Sequence, residues 1–390
     1  MKEFSSKTLK REEITRSTFS SSAIIFPGKY IQGPGSLNLA GEVFSSLGNK
    51  LLIFGGEKAL KAVETVLVNS FKKAGGIKLI REVFGGICTQ SEIDRLISLG
   101  RKNNVDAVIG VGGGMAVDTA KAVAHYLCKP VGLIPTIAST DAPISALSVV
   151  YTNEGKFDGY ISYNRNPDVI LVDTEIIAKA PVRFFISGMG GAIGVSYEAE
   201  TCYKSGAKTL AGGSPSLLAV KCAQMAREIL LKYGYMAKIS VENGVWSPAV
   251  ERCIEANLLL SGIGFESGGL AIAHSIYHGY RSLNKKKAFH GEVVAFGTLV
   301  EMILEDNSIN DITRIIKFFK DVGLPCTLKE IEIDRSDGFE LEKLALVASK
   351  QGTASNMNTN SRIINSRNLL DAIISADCIG SIFLQEENII

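Results

Sequence analysis

The sequence lacks the features from which a covalent or cysteine-based metal framework is built. Its seven cysteines are odd in number and widely spaced, and none lies in a Cys-x-x-Cys pair. This pattern excludes a disulfide scaffold and a zinc ribbon, and it predicts a reducing, cytoplasmic compartment. An excess of one charge is also missing, because 42 Lys+Arg against 40 Asp+Glu leave a formal net charge of +2. We therefore expect neither nucleic acid nor an anionic membrane as a partner.

Long hydrophobic runs are missing as well. No uncharged apolar stretch approaches the roughly 18 residues that a membrane-spanning helix needs. The N-terminus has no continuous apolar core of the kind found in signal peptides. Residues 1–23 are instead rich in Ser and Thr and carry mixed charges. This segment is predicted to be a disordered extension, with organelle targeting as the alternative.

Alternating short apolar runs and amphipathic stretches dominate the chain up to about residue 185. Buried strands are predicted at 51–54, 78–84, 107–109 and 131–134, with helices at 57–74 and 91–103 between them. Further strand-like runs follow within 149–172. Strand, helix and strand at this spacing predict a parallel sheet with right-handed crossovers. We assign residues 24–185 to an α/β domain of dinucleotide-binding type.

The second half has a different pattern. Apolar residues recur at three-to-four spacing over stretches such as 214–234 and 248–263, and strand-like runs are few. Residues 186–390 are therefore predicted to form an all-helical domain. The expected fold class is α/β, with an N-terminal parallel-sheet nucleotide-binding domain followed by this helical one.

Three consecutive glycines, Gly112, Gly113 and Gly114, stand between a predicted strand and a predicted helix. Without Cβ atoms, backbone N–H groups can close on a pyrophosphate at the helix N-terminus, whose dipole favours an anion. The alternative is a tight turn that needs glycine for conformational reasons alone. The spacing matches neither G-x-G-x-x-G nor the P-loop.

A polar, proline-bounded loop, Pro135–Pro143, follows the next predicted strand. Ligands of open α/β sheets bind beyond the carboxyl ends of the strands, so this position favours function. Asp141 in this loop is either a site residue or a helix N-cap. Asp118 and Lys121 lie three residues apart on the helix after the glycines. They are either part of the site or an ordinary surface ion pair.

Several ordered motifs together carry a family resemblance. They are Gly112–Gly114 with Asp118–Lys121, the loop Pro135–Pro143, the segment Gly262–His274 and the segment His290–Gly297. These motifs closely resemble the glycerol dehydrogenases of the metal-dependent, iron-containing alcohol dehydrogenase family, over roughly residues 24–386. The resemblance implies a nucleotide-binding α/β domain, a helical domain and an active site in the cleft between them. It also implies a small-molecule substrate and a homo-oligomer.

The resemblance also implies roles for individual residues. Contacts with NAD or NADP are carried onto Gly112, Gly113, Gly114, Asp118, Thr136, Ser139, Ser145, Leu147 and Tyr151. The implied catalytic residues are Asp141, beside the substrate hydroxyls, together with His274 and His290. Family members bind zinc or another divalent metal through one Asp and two His, and the histidines map onto His274 and His290. Such a cation stabilises an alkoxide while hydride leaves for the nicotinamide.

The sequence departs from the family pattern at three chemical positions. Gly191 stands where the family has its metal-binding Asp, which leaves two imidazoles and no carboxylate. His278, one helical turn after His274, is a candidate substitute ligand, with a polar surface histidine as the alternative. Met115 replaces a lysine beside the phosphates, and Gly56 replaces the Asp that holds the adenosine ribose. Glu57 would then favour NAD, whereas Lys58 would favour NADP.

Three hypotheses follow from these departures. The first is a metal-dependent NAD(P) dehydrogenase acting on a small polar alcohol or ketone, with a substitute ligand for the metal. The second is a metal-independent reductase of a ketone or an imine, with His274, His290 or Asp141 as the acid. The third is a non-catalytic nucleotide-binding homologue. Metal content, nicotinamide titration and turnover distinguish them.

Overall fold

The first half of the chain alternates strands with helices in the computed structural model, which describes residues 21–283, 285, 287–358 and 363–386. The strands are β1 (Tyr30–Gly33), β2 (Lys50–Gly55), β3 (Lys78–Val83), β4 (Ala107–Gly112), β5 (Val131–Pro135), β6 (Leu147–Tyr151), β7 (Phe157–Ser162) and β8 (Val169–Asp173). The helices are α1 (Ala40–Ser45), α2 (Glu57–Ala74), α3 (Gln90–Asn103), α4 (Gly114–Leu127) and α5 (Thr174–Ala178), with a short 3-10 turn at Ser36–Leu39.

Six of these strands form one parallel sheet in the order β1-β8-β5-β4-β2-β3. Strand β2 lies between β3 and β4, and its Leu51 pairs with Leu79 on one side and with Ala107 on the other. Strands β6 and β7 instead form a separate antiparallel hairpin in which Leu147 pairs with Ser162. The predicted parallel sheet is therefore confirmed, and the strand-like runs between 147 and 162 lie outside it.

Alternate residues of the central strands enter two different cores. Leu52 and Phe54 of β2 pack into the core on one face of the sheet, whereas Leu51 and Ile53 pack into the core on the other face. Successive side chains of a strand point to opposite faces, so a strand with helices on both sides is apolar throughout. This explains why the buried strands read as continuous apolar runs in the sequence.

The second half of the chain is helical, as predicted. Its helices are α6 (Val182–Ser205), α7 (Leu217–Glu242), α8 (Pro248–Glu255), α9 (Ser261–Gly268), α10 (Ile272–Ser282), α11 (His290–Leu304), α12 (Ile309–Val322), α13 (Gly338–Ser349), α14 (Gly352–Ser355) and α15 (Ser366–Glu386). A π-helical turn at Ala256–Leu260 joins α8 to α9, and a 3-10 turn occupies Lys329–Ile331. The domain boundary drawn at residue 185 falls in the first turn of α6.

Glycines let helix α6 approach its neighbours backbone to backbone. A Cβ on Gly190 would lie 2.2 Å from the carbonyl oxygen of Gly291 at the start of α11. A Cβ on Gly188 would lie 2.0 Å from the carbonyl oxygen of Ala138, in the loop after β5. Real Cβ atoms do not come this close to backbone oxygen. Helix α6 therefore holds the start of α11 and the loop after β5 against each other.

The segment around residues 21–29 connects the two halves. Ser21 and Ala23 form backbone hydrogen bonds with Ser214, and the Ile25 amide donates to Ser267 Oγ at 3.1 Å. The chain then reaches the sheet, where the Gly28 amide donates to the carbonyl of Pro167. Residues 21–23 of the predicted disordered extension are thus paired with the helical half, whereas residues 1–20 lie outside the described part of the chain.

No single helix in the described ranges is long and apolar enough to cross a membrane. Only α8–α9 and α10 taken together meet the length and composition test, and a bend of 94° separates them.

Candidate functional site

The glycine turn lies between the end of β4 and the start of α4. Gly112 has φ of 141°, a backbone conformation that residues with a side chain rarely adopt. Gly113 is the N-cap residue of α4, and within the described chain no side chain caps this helix. A Cβ on Gly113 would lie 2.6 Å from Ile137 Cδ1. The first N–H groups of α4 are thus available to an anion, as the predicted phosphate cradle requires.

The loop after β5 lies against this turn. The Thr136 amide donates to the carbonyl of Gly112, and Thr140 Oγ1 is 3.4 Å from where a Cβ on Gly114 would stand. Ser139 lies on the same loop and is half-buried. The structure therefore brings Thr136 and Ser139 to the glycine turn, on the side where the sheet opens.

Asp118 and Lys121 of α4 form a buried ion pair, with Lys121 Nζ 2.9 Å from Asp118 Oδ1. Lys121 Nζ also donates to the carbonyls of Ala142 and Leu147, and the Val149 amide donates to Asp118 Oδ2. The alternative of a surface ion pair is therefore wrong. The pair fastens segment 142–149 to α4, so Asp118 positions the predicted cofactor residues on that segment, which are Ser145 and Leu147.

Two buried carboxyl groups hold the start of α10. Glu198 Oε1, from α6, accepts the amides of Ala271 and His274. Glu301 Oε2, from α11, accepts the amides of Ile272 and Ala273 at 3.0 Å each. Amides at a helix N-terminus have no partner within the helix, and its dipole favours negative charge there. These carboxyl groups therefore fix the height and direction of α10, and with it the place of His274.

Glu198 also orients the His274 ring. Its Oε2 is 2.6 Å from His274 Nδ1, and both residues are buried. Burial on its own lowers the pKa of His274, but the charge and hydrogen bond of Glu198 raise it more, so the net shift is upward. With Nδ1 engaged by Glu198, Nε2 is the ring nitrogen left for a ligand.

His290 is the first residue of α11 and lies beside His274, with 5.1 Å between the ring centroids. The ring of Tyr277 meets the His290 ring edge-on, at 4.4 Å between centroids. Burial, followed by the positive fields of His274 and His278, lowers the pKa of His290 well below its ordinary value. The structure thus brings the two predicted histidines together.

Asp141 lines the same cleft as His274 and His290. Its Oδ2 accepts a hydrogen bond from Ser261 Oγ at 2.7 Å, and burial raises the pKa of the Asp141 carboxyl. Asn257, from the π-helical turn, donates through Nδ2 to the carbonyls of Ala138 and Phe185. Together these side chains and the two histidines line a narrow cleft, whose residues are Thr140, Asp141, Gly188, Gly191, Ala192, Asn257, Ser261, His274 and His290.

The cleft does not offer the donor set of a divalent metal. Catalytic zinc takes three protein ligands, drawn from His, Cys, Asp and Glu. Gly191 provides none of these, and among the described residues no three His, Cys, Asp or Glu side chains are grouped to hold a metal ion. A Cβ on Gly191 would meet nothing within 4 Å, in contrast to Gly188 and Gly190 in the same helix. Packing therefore does not require glycine at this position.

The substitute role of His278 stays a prediction, and the structure places its ring against the hairpin. Its Nε2 is 3.4 Å from Tyr160 Oη on the hairpin, and its ring packs against Phe157. Burial, followed by the charge of His274, lowers the pKa of His278 to about 4. The one-turn spacing from His274 is correct, but β6–β7 covers this part of α10, so His278 is part of the contact between hairpin and helix.

The end of β2 lies next to the glycine turn, where an adenosine ribose would be expected. Gly55 pairs with Val111, and a Cβ on Gly112 would be 3.7 Å from Ala59 Cβ at the start of α2. Glu57 and Lys58 begin α2 and are exposed. Met115, at the family's lysine position, is 39% exposed. Tyr151 is the remaining predicted cofactor residue. The guanidinium carbon of Arg281 lies over the Tyr151 ring, 5.2 Å from the centroid of that ring.

Glu198, Ser261 and Asn257 were missed by the sequence analysis. Each acts on a residue far away in the chain, since Ser261 and Asp141 are 120 positions apart and Glu198 and His274 are 76 apart. The one usable signal was Glu198, the first acid after the long apolar stretch of α6, because a charged residue that follows such a stretch needs a partner if it is buried.

Comparison with known proteins places this site in a family. The model of the iron-containing alcohol dehydrogenase family matches residues 27–174. Glycerol dehydrogenase of Thermotoga maritima is 43% identical, over 91% of this chain and 97% of that protein. Glycerol dehydrogenase of Escherichia coli is 42% identical, over 92% and 98%. The crystal structure of glycerol dehydrogenase from Schizosaccharomyces pombe superimposes with a TM-score of 0.88 at 32% identity, covering 95% of this chain and 94% of that one. The chain belongs to the iron-containing alcohol dehydrogenase family of nicotinamide-dependent oxidoreductases.

Proposed function

We propose that this oxidoreductase transfers hydride between a nicotinamide cofactor and a small polar substrate without a three-residue metal centre. The observation that carries the proposal is Gly191. It lines the cleft at the family's metal-binding Asp position, has open space for a side chain, and supplies no carboxylate. A cleft that keeps the paired histidines and Asp141 but lacks this ligand is suited to hydride transfer assisted by side-chain hydrogen bonds.

The reacting atom of the substrate would lie among His274, Asp141 and Ser261. His274 Nε2 is the ring nitrogen that remains for the substrate, because Glu198 holds Nδ1. Asp141 and Ser261, already joined to each other, would orient the polar groups of the substrate. The residues of the glycine turn would hold the nucleotide, which supplies or takes up the hydride when bound. The histidine and the carboxyl group would hold the proton that a carbonyl oxygen needs.

We further propose NAD as the preferred nucleotide. Glu57 is exposed at the first position of α2, next to the glycine turn. A carboxylate there accepts a hydrogen bond from a ribose 2′-hydroxyl and repels a 2′-phosphate. The ratio of kcat/KM for NADH to that for NADPH tests this: it should fall about 10-fold in Glu57→Gln and stay unchanged in Lys58→Gln.

The main test restores the family's carboxylate. The parent protein, Gly191→Asp and the matched control Gly191→Asn are assayed for bound zinc and for glycerol oxidation, before and after treatment with a chelator. We expect parent activity to be insensitive to the chelator. Gly191→Asp should bind about one zinc ion per chain and gain chelator-sensitive glycerol oxidation, whereas Gly191→Asn should not.

Two outcomes would overturn the proposal. Loss of the parent's activity on chelation, with recovery on addition of zinc, would mean that the metal is held in spite of Gly191. Nucleotide binding without turnover on alcohol, ketone and imine panels would instead support a nucleotide-binding homologue. If metal and glycerol oxidation fail to rise in Gly191→Asp, the missing carboxylate does not account for any deficit in glycerol oxidation.

A further inference from the structure

The carboxyl groups around the cleft outnumber its cationic side chains, because His274 is paired with Glu198 and Asp141 has no ion-pair partner among the described residues. Asp141 lines the cleft, and Glu198 lies directly behind His274. No Lys or Arg is among the lining residues in the described chain. Two cations lie nearby, but Lys121 is engaged by Asp118 and three backbone carbonyls, and Arg281 by Tyr277 Oη and the carbonyl of Gly155. A buried site of this kind favours a ligand that brings positive charge.

The side-chain oxygen of Asn257 in the cleft wall is a buried acceptor without a donor among the described residues. Asn257 is 1% exposed, and its Nδ2 is used by the carbonyls of Ala138 and Phe185, which fixes the orientation of the amide. Its Oδ1 accepts no hydrogen bond from any residue that the structure describes. Leaving such an atom without a donor is costly. A carbonyl oxygen cannot supply a donor, whereas a hydroxyl group or a protonated nitrogen can.

Aromatic rings continue outward from the histidines to the hairpin. Tyr277 stands against His290, and the His278 ring lies 6.0 Å from that of Tyr277 and 6.4 Å from that of Phe157. Phe157 and Tyr160, which contact each other, are 46% and 49% exposed. Aromatic faces attract organic cations, most strongly where water is excluded.

From these three observations we infer that the substrate is a small organic iminium ion, reduced at its C=N bond to an amine. This inference deepens the proposed function and rests on it. The positive charge of the iminium would stand where a metal cation stands in other family members. Its N–H would donate to the acceptor in the cleft wall.

The chemistry balances without a metal and without an acid in the hydride step. Hydride leaves C4 of the reduced nicotinamide and bonds to the iminium carbon. The π electron pair of C=N moves to nitrogen, which becomes a neutral amine, and the nicotinamide is oxidised to its cationic form. The nitrogen already carries its proton, so no side chain has to supply one. The amine takes up a proton from water after release.

A matched pair of probes tests this inference. 1-Pyrroline and cyclopentanone have the same ring size and shape, but only the first is protonated to a cation. We expect kcat/KM with NADH to be about 100-fold higher for 1-pyrroline, which corresponds to about 2.7 kcal/mol of preferential transition-state binding. Equal or faster reduction of cyclopentanone would overturn the inference and leave the proposed function standing. Reduction of neither probe by a protein that binds NADH would also count against it, whereas failure to bind NADH or NADPH would overturn the proposed function itself.

Substitution at Gly191 gives a second readout that does not depend on restoring a metal. A Cβ at this position meets nothing within 4 Å, so Gly191→Lys places a cationic side chain at the cleft and Gly191→Met places one of similar length without charge. We expect 1-pyrroline reduction to be at least about 10-fold slower in the Lys variant than in the Met variant. Equal rates in the two variants, with NADH binding intact in both, would contradict a cationic substrate.

Discussion

Glycine serves opposite purposes in the nucleotide turn and in the substrate cleft. At Gly112 and Gly113 the backbone conformation and the nearby Ile137 leave no room for a side chain. At Gly191 the surroundings leave space for one. Gly112 therefore serves the backbone conformation of the turn, whereas Gly191 matters for the chemical group that it omits. The departures from the family pattern fall in both halves, at Gly56 and Met115 beside the turn and at Gly191 in the cleft.

Helix α6 contains both kinds of glycine side by side, and this gives the largest expected effect. Gly190→Ala places a Cβ against the carbonyl of Gly291, so we expect the free energy of unfolding to fall by about 3 kcal/mol. The matched control, Gly191→Ala, should change it by no more than about 1 kcal/mol and in the stabilising direction. Urea denaturation of both variants measures the difference. Equal destabilisation would show that Gly191 is also a packing residue.

Glu198 is expected to affect the chemistry and not the cofactor. In Glu198→Gln the His274 ring loses the carboxylate that sets its tautomer, so kcat should fall about 100-fold while the Kd for NADH stays the same. Glu301→Gln is the control, because Glu301 also holds amides of α10 but does not contact the His274 ring in the hydrogen bonds described above. Steady-state kinetics and NADH fluorescence titration separate the two effects. A similar loss of kcat in both variants would show that Glu198 acts only by holding the start of α10 and not through the His274 ring.

Glu266 links the two regions and predicts a pH dependence of stability. It lies on α9 of the helical half and accepts hydrogen bonds from the Ala146 amide and from Asn166. Burial raises its pKa to about 7, above the ordinary 4.5. The folded state therefore binds more protons between these values, and the stability that Glu266 contributes is lost as the pH rises from about 4.5 to about 7.

The corresponding measurement compares the parent protein with Glu266→Gln. The free energy of unfolding of the parent minus that of the variant should fall by about 2 kcal/mol between pH 5 and pH 8. Other titrating groups are common to both proteins and cancel in this difference. A difference that does not vary with pH would place the Glu266 titration outside this range.

The nucleotide turn gives the smallest expected effect. Gly112→Ala forces a side chain into a backbone conformation at φ 141°, a strain of about 1–2 kcal/mol, so the Kd for NADH should rise about 10-fold. Gly75→Ala, at the C-terminal end of α2 with φ 68°, carries a similar strain away from the turn. Gly75→Ala should lower the free energy of unfolding without changing the Kd for NADH. NADH titration of the two variants at equal folded fraction measures the difference. Unchanged affinity in Gly112→Ala would remove this residue from the anion site.

The fold was largely predictable because its signals are local. The period of apolar residues gave the central strands and the change to helices, and Gly112–Gly114 marked the turn between β4 and α4. Strand β1 and the separation of the β6–β7 hairpin from the sheet depend on pairing between residues far apart in the chain, which local periodicity does not reveal. In the site, His274 and His290 followed from motifs, whereas Asn257 depends on a π-helical turn and Glu198 on helix packing. The prediction for His278 has the same limit. Helical spacing places His278 on the same face of α10 as His274, but it does not show that the β6–β7 hairpin packs against that face.

The segment 21–29 has a consequence for how the two halves are joined. It forms hydrogen bonds with the helical half at Ser214 and Ser267, and with Pro167 just before strand β8 of the sheet. A substitution in this segment would therefore act on the attachment of one half to the other, although the segment contacts neither Asp141 nor the two histidines in the hydrogen bonds described.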